Sequence, residues 1–199
     1  MPRCDHWNHN THYYPLVLSA APRPCHRALD VGSGDGLLVR SLASRCWHVT
    51  GLDRSPEMIS LARSLCADLP NVDFVADDVL AADLPFGAFD LVASVAAIHH
   101  LDFDAGLRRM AGLLRPAGVL VVIGLARNAS PLDWAAAAAG VPAHHALRLR
   151  HGIWHHSAPV TDPDMTWGEV RAAARRLLPG VRWRRHLLWR YSLTWRKPA

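Results

Sequence analysis

Between Arg27 and Gly36 the chain reads Arg-Ala-Leu-Asp-Val-Gly-Ser-Gly-Asp-Gly, and no other stretch restricts the fold as much. Four apolar or β-favouring positions run into glycines at 32, 34 and 36, after which Leu37, Leu38 and Leu42 recur at helical spacing. The pattern predicts a strand, a tight turn and a helix. Glycine at these places lets the backbone take positive φ and lets a ligand approach the main chain where a Cβ would block it. The unpaired N–H groups of the helix start face the same turn. A nucleotide-like ligand suits that geometry, while a glycine-rich turn without a ligand is the alternative for the motif taken alone. The dinucleotide fingerprint G-x-G-x-x-G cradles a pyrophosphate. Here the glycines run G-x-G-x-G, and Asp30 stands inside the end of the strand, where a carboxylate repels phosphate and attracts a cationic amine.

The segment resembles motif I of the class I S-adenosylmethionine-dependent methyltransferases, whose donor carries an ammonium and a sulfonium and no phosphate. Further elements follow in the order of that family. Trp47 to Asp53 reads as a second strand, and Asp53 falls 21 positions beyond Gly32, where an acid accepts hydrogen bonds from ribose hydroxyls in NAD and S-adenosylmethionine sites alike. Ser55-Pro56-Glu57 starts a helix with a capping serine, an early proline and an acid near the dipole's positive end; the resemblance puts Met58 near the adenine. Asn71 to Ala76 makes a third strand with Asp77-Asp78 at its tip. The family pattern gives the adenine amino group to the Asp77 side chain and the ring nitrogen to the Asp78 backbone; a capping acid pair is the bland alternative. Leu84-Pro85-Phe86, then Phe89-Asp90-Leu91-Val92, lead into a fourth strand, Leu91 to Val95, and on to His99-His100-Leu101. This run is similar to that of small methyltransferases of the ubiquinone-biosynthesis type. The cofactor contacts implied are Asp30, Gly32, Ser33, Gly34, Gly36, Asp53, Arg54, Met58, Asp77, Asp78, Val79, Val95 and Ala96.

Asp104 to Leu114 is an amphipathic helix closed by Arg115-Pro116-Ala117-Gly118 before a strand from Val119 to Gly124. Ser130-Pro131-Leu132-Asp133 caps a helix through the alanine run, expected to end at Gly140. Ala143 to Asp164 carries His144, His145, His151, Trp154, His155 and His156 and reads as a variable acceptor-side cover, since Gly152 weakens any helix that would align His151 with His155 for a metal. A capping box, Thr166 and Glu169, opens a helix to Leu178, ended by Pro179-Gly180. Val181 to Leu187 and Trp189 to Arg196 are strands without an Asn-Gly turn between them; the family implies their reversal into an antiparallel edge hairpin. The implied fold is a Rossmann-like three-layer α/β sandwich whose seven-stranded, mostly parallel sheet has the order 3-2-1-4-5-7-6. Residues 1–199 form a single domain, divided into an N-terminal lid segment (1–24), a cofactor-binding core (25–124), acceptor-side cover and helices (125–180) and C-terminal strands (181–199).

The lid begins with His6, His9 and His12 among Asn8, Asn10, Tyr13 and Tyr14, with a short helix starting at Pro15. Three imidazoles near one helix face suggest a metal, but no carboxylate or thiolate nearby completes a shell, so a polar aromatic lid is preferred and no metal is expected. Cys4, Cys25, Cys46 and Cys66 form no CxxC pair and read as reduced, packing thiols; no apolar run marks a signal peptide or membrane span, so a cytoplasmic protein is expected. Net charge is +5, nearly all positive charge is arginine, and many arginines alternate with apolar residues in the last strands. A half-buried strand with a solvated face is preferred there over a nucleic-acid footprint. The reaction implied is methyl transfer from S-adenosylmethionine to a small molecule, with His100, His99, Tyr14 or His12 as the base where a proton must leave. An RNA methyltransferase using the arginine-rich strands, a non-catalytic S-adenosylmethionine-binding module and an NAD-dependent oxidoreductase are the alternatives, the last disfavoured by the glycine spacing and Asp30. Without an Asn-Pro-Pro-Tyr after the fourth strand, the adenine-N6 and glutamine methyltransferases are disfavoured too.

Overall fold

The computed structural model describes residues 7–152 and 162–199. Seven strands form one sheet: β1 (Arg27–Val31), β2 (His48–Asp53), β3 (Val72–Ala76), β4 (Phe89–Val95), β5 (Leu114–Gly124), β6 (Arg182–His186) and β7 (Arg190–Arg196). Their order is β3-β2-β1-β4-β5-β7-β6, with β1 to β5 parallel and β7 antiparallel to both neighbours. Helices α1 (Tyr14–Ala20), α2 (Leu37–Ala43) and α3 (Pro56–Leu65) cover one face, and α4 (Phe103–Leu113) and α6 (Trp167–Leu177) the other. Helix α5 (Pro131–His151) lies at the end of the β6–β7 turn.

Strand alternation divides the core. Leu29, Val31, Val92, Leu120 and Val122 pack towards α4 and α6, whereas Ala28, Leu91, Ala93, Val119, Val121 and Ile123 pack towards α1 to α3. Both faces are apolar because helices cover both, as parallel crossovers require. Helix starts follow the sequence signals: the Ser55 hydroxyl accepts from Met58 N–H, and Thr166 with Glu169 closes a reciprocal capping box. The expected cysteine state agrees for Cys25, Cys46 and Cys66, which are free and buried; Cys4 lies outside the described residues.

Three elements depart from expectation. The residues from Arg115 to Gly118, read as a loop, lie within β5. The register jumps from Phe89↔Leu114 to Leu91↔Val119, so they protrude as a bulge, with Ala117 at φ 63°. Arg115 is held by the buried Asp90 carboxylate, which also accepts from His26 and Arg27 N–H at 2.9 and 2.7 Å.

Helix α5 does not stop at Gly140 but runs to His151, through Pro142, and ends where Gly152 adopts φ 74°. Gly140 serves close approach: a Cβ there would stand 2.4 Å from the Leu187 carbonyl oxygen, beside the Trp189 indole. The reversal between β6 and β7 takes three residues, Leu187 to Trp189, with Trp189 at φ 54° in place of glycine or asparagine and its indole N–H on the Ala137 carbonyl at 2.9 Å.

The contact at Gly140 sets packing against helix propensity. Gly140→Ala gains about 1 kcal/mol of propensity but forces a methyl group into a backbone oxygen, an overpacking that costs about 1–3 kcal/mol. Net destabilisation, read as a lower thermal midpoint, is expected; a raised midpoint would contradict the packing described.

Candidate active site

A cavity of about 490 Å³ opens at the carboxyl ends of β1, β2 and β4, where open α/β sheets place ligands. Its floor is the turn after β1. Gly32 and Ser33 N–H both donate to the Leu52 carbonyl, at 2.8 and 3.0 Å, and Gly34 N–H donates to Asp53 Oδ2 at 2.9 Å. Asp53 Oδ1 accepts from Ser55 N–H at 3.0 Å. Each oxygen of this carboxylate keeps a lone pair for a further donor. Gly32 has φ 74°, and a Cβ there would lie 2.2 Å from that of Ala97; only hydrogen fits between the ends of β1 and β4.

Of the residues expected to hold a cofactor, Gly32, Ser33, Gly34, Asp53, Arg54, Met58, Asp77, Val79, Val95 and Ala96 line this cavity. Asp30, Gly36 and Asp78 do not. Asp30 lies beneath the turn, 2% exposed, with Oδ1 lacking a partner among the described residues. Burial, then the charges of Asp53 and Asp35, push its pKa up to about 8. Gly36 is the N-cap of α2 and faces Ala62 and Phe74. Asp78 turns away: its carboxylate caps Leu80 N–H at 2.8 Å and stands 3.8 Å from Arg54, while its own N–H donates to Asp77 Oδ1 at 2.7 Å.

Beyond β4, Ala96 at φ 53° donates its N–H to the Ile123 carbonyl at 2.7 Å, and a single 3-10 turn, Ile98–His100, follows. This turn brings His99 and His100 into the cavity wall with ring centroids 4.1 Å apart. Burial, then the positive charges of His100 and Arg190, lower the His99 pKa to about 4, and its Nδ1 is buried without a partner among the described residues. His100 is shifted down as well, by burial and by Arg54, against the opposing pull of Asp53.

The amino-terminal segment forms the opposite wall through Asn8, His9, Asn10, Thr11 and Tyr14. His9 Nε2 lies 2.9 Å from His144 Nδ1 on α5, and burial, reinforced by Arg190, His144 and His12, lowers its pKa to about 4. Tyr14, expected at the site, lines it; His12 does not, and packs instead against Trp7 and Tyr13. The expected histidine cluster is divided. His144 and His151 lie on α5 near Trp7, whereas His6, Trp154, His155 and His156 fall outside the described residues.

Sequence reasoning missed Arg190. It reads as one more arginine of a solvated strand face, but β7 has β5 on one side and β6 on the other, and both its faces are covered. Arg190 is 8% exposed and lines the cavity. Other arginines of the same stretch behave as expected: Arg182, Arg184 and Arg196 are exposed, and Arg185 pairs with Asp133 at 2.6 Å.

The family model described as "Methyltransferase domain" matches residues 28–118. An uncharacterized methyltransferase of Mycobacterium tuberculosis is 37% identical over 195 residues, covering 97% of this chain and 98% of the relative. The ubiquinone biosynthesis O-methyltransferase of Xanthomonas campestris pv. campestris is 35% identical over 166 residues, 81% of this chain and 67% of that protein. Among solved structures, the N-methyltransferase NodS of Bradyrhizobium japonicum, in complex with S-adenosylhomocysteine, matches with a TM-score of 0.63 at 17% identity, covering 95% of this chain and 87% of its own. Among the described residues no helix is long and apolar enough to cross a membrane.

The buried titratable groups oppose one another in pH. His9 and His99 fall from about 6.5 unfolded to about 4 folded, so the unfolded state binds more protons between these limits and stability declines as pH falls from 6.5 towards 4. Asp30 rises from 3.8 to about 8, so the folded state binds more protons between these limits and stability declines as pH climbs from 3.8 to 8. Thermal midpoints of the ligand-free protein are expected to peak near pH 6.5, where the histidine effect ends and that of Asp30 persists. Asp30→Asn should flatten the limb between pH 6.5 and 8 and steepen the acid limb, which Asp30 opposes; an unchanged alkaline limb would contradict this origin.

Proposed function

Because the chain belongs to the class I S-adenosylmethionine-dependent methyltransferases and takes S-adenosylmethionine as its cofactor, we propose that it carries out in-line methyl transfer to a small-molecule acceptor. The observation carrying this reading is the division of one cavity into two chemically different halves. Towards β1 to β3 lie the glycine turn, Asp53, Met58 and Asp77; towards the amino-terminal segment and β7 lie Asn8, Asn10, His99 and Arg190. Small-molecule sites span about 300–1,000 Å³, and 490 Å³ suits a nucleoside donor with a compact acceptor beside it.

The residues fit the cofactor. Gly32, Ser33 and Gly34 give the cavity a backbone floor, and Asp30 Oδ1 is buried without a partner among the described residues, beneath the place a cation would occupy. S-adenosylmethionine supplies a methyl carbon already activated by its sulfonium, so alignment accounts for most of what the chain must add. In this reading Asp53 accepts the ribose hydroxyls while its other lone pairs keep the turn stapled. Asp77 takes the adenine amino group, Asp78 N–H exchanges Asp77 for the ring nitrogen, and Met58 packs on the base. Val95 and Ala96 border the transferable group.

Where the acceptor loses a proton, His99 receives it. Burial favours its neutral imidazole at physiological pH, and the ring stands in the cavity wall. His100 stands nearer Asp53 and Arg54 and belongs to the donor half.

Calorimetric titration should show S-adenosylhomocysteine binding and NAD not binding, with Asp53→Asn weakening the former by about tenfold or more, the scale of a lost charged hydrogen bond. NAD binding with comparable affinity would overturn the assignment of the donor half. Once an acceptor is found by release of S-adenosylhomocysteine, His99→Ala should lower kcat by roughly 10²-fold while cofactor affinity holds. An unchanged kcat would remove His99 from proton transfer.

A further inference from the structure

Among the described residues Arg190 is the one buried arginine, and no carboxylate among them pairs with it. The less buried arginines nearby and elsewhere have acidic partners, Arg185 with Asp133 and Arg115 with Asp90. Burying a guanidinium without a counter-charge is costly, and the cost here is high enough to lower its pKa to about 10, through desolvation. The polar groups around it are neutral. Nε and Nη2 donate to Asn10 Oδ1 at 3.1 and 2.8 Å, Nη1 donates to the Trp189 carbonyl at 3.2 Å, and the neighbouring imidazoles of His9 and His99 are held unprotonated.

The donor count matters. A guanidinium has five N–H groups, and these three bonds leave one N–H on each Nη without a partner among the described residues. Two N–H groups on adjacent nitrogens of a planar fork match the two oxygens of a carboxylate or phosphate. Asn10 holds the guanidinium in place by its other edge, which keeps the fork from rotating. Since Arg190 lines the same cavity as His99, the cation faces the acceptor half.

We propose that Arg190 is the counter-ion for an oxyanion group of the acceptor, so that the molecule methylated carries a carboxylate or a phosphate monoester. The proposal rests on the division of the cavity given above. The fork supplies the charge and orientation, Asn10 positions it, and neutral His9 and His99 keep the surroundings from competing for the anion.

The test uses the full chain saturated with S-adenosylhomocysteine and titrates benzoate, phenyl phosphate and the neutral counterpart benzamide. At least one oxyanion probe should bind about tenfold or more tightly than benzamide, as expected for charge-assisted over neutral pairing. The tighter of benzoate and phenyl phosphate identifies the oxyanion type. Arg190→Gln should remove the preference, Arg190→Lys should restore part of it, and S-adenosylhomocysteine affinity should be unaltered in both. Equal binding of all three probes to the unsubstituted protein overturns the proposal and needs no variant to fold. A parallel loss of S-adenosylhomocysteine affinity in Arg190→Gln overturns it too, by assigning the fork to the cofactor's own carboxylate. Failure of the unsubstituted protein to bind S-adenosylhomocysteine at all strikes the underlying functional reading instead.

Discussion

The whole site depends on the stitching of the first turn to the end of the second strand. Gly32 and Ser33 share the Leu52 carbonyl, and Gly34 hangs from the Asp53 carboxylate. These bonds satisfy the backbone donors of the turn and fix it as a concave floor. They also make Asp53 serve two purposes at once, since the oxygens that face the cavity are the ones that hold its floor. Little slack remains at Gly32, where an added Cβ would come within 2.2 Å of the Ala97 methyl.

Around that floor the chain keeps Asp30 out of water at 2% exposure and Arg190 at 8%, neither with an ion-pair partner among the described residues. Stability explains neither, because burying a carboxyl oxygen without a hydrogen-bond partner and a guanidinium without a counter-charge both oppose folding. They stand on opposite sides of the proposed reaction centre, a carboxyl under the donor half and a guanidinium beside the acceptor half. Matching ligands would relieve that cost, an ammonium by favouring the ionised form of Asp30 and an anion by pairing with Arg190, so folding strain and recognition have the same source. The histidines between them fit that arrangement, since burial and the nearby Arg190 both favour their neutral form.

Where the sequence was readable, the signals were local. The turn at Gly32, the caps at Ser55 and Thr166 and the strand-end acids each follow from a few adjacent residues, and the sheet order followed from their succession together with the family resemblance. What could not be read was decided at long range. Gly140 reads as a helix stop but is a contact with a turn some fifty residues later, so α5 continues. The helix continues through Pro142, whose ring ordinarily disfavours a helix interior. Arg190 looks like a surface residue because alternation says which face a side chain takes, not whether that face is covered. Coverage of β7 depends on its seat between β5 and β6.

The two halves of the cavity therefore differ in how they are encoded. The donor half is built within Asp30 to Ala97, from strand ends that follow one another in the chain. The acceptor half is closed by contacts between distant segments: Asn10 with Arg190, Tyr13 hydroxyl with Leu188 N–H, and His9 with His144. These contacts tie the amino-terminal segment to α5, to the β6–β7 turn and to the first residue of β7, around a reversal that the left-handed Trp189 and the glycine contact at 140 hold in place. Substitutions in the amino-terminal segment, α5 or that turn can thus reshape the acceptor half while leaving the Leu52 and Asp53 staple intact. Because every one of those anchors lies outside β1 to β4, a single fold can keep one donor and vary what it modifies without reopening its core.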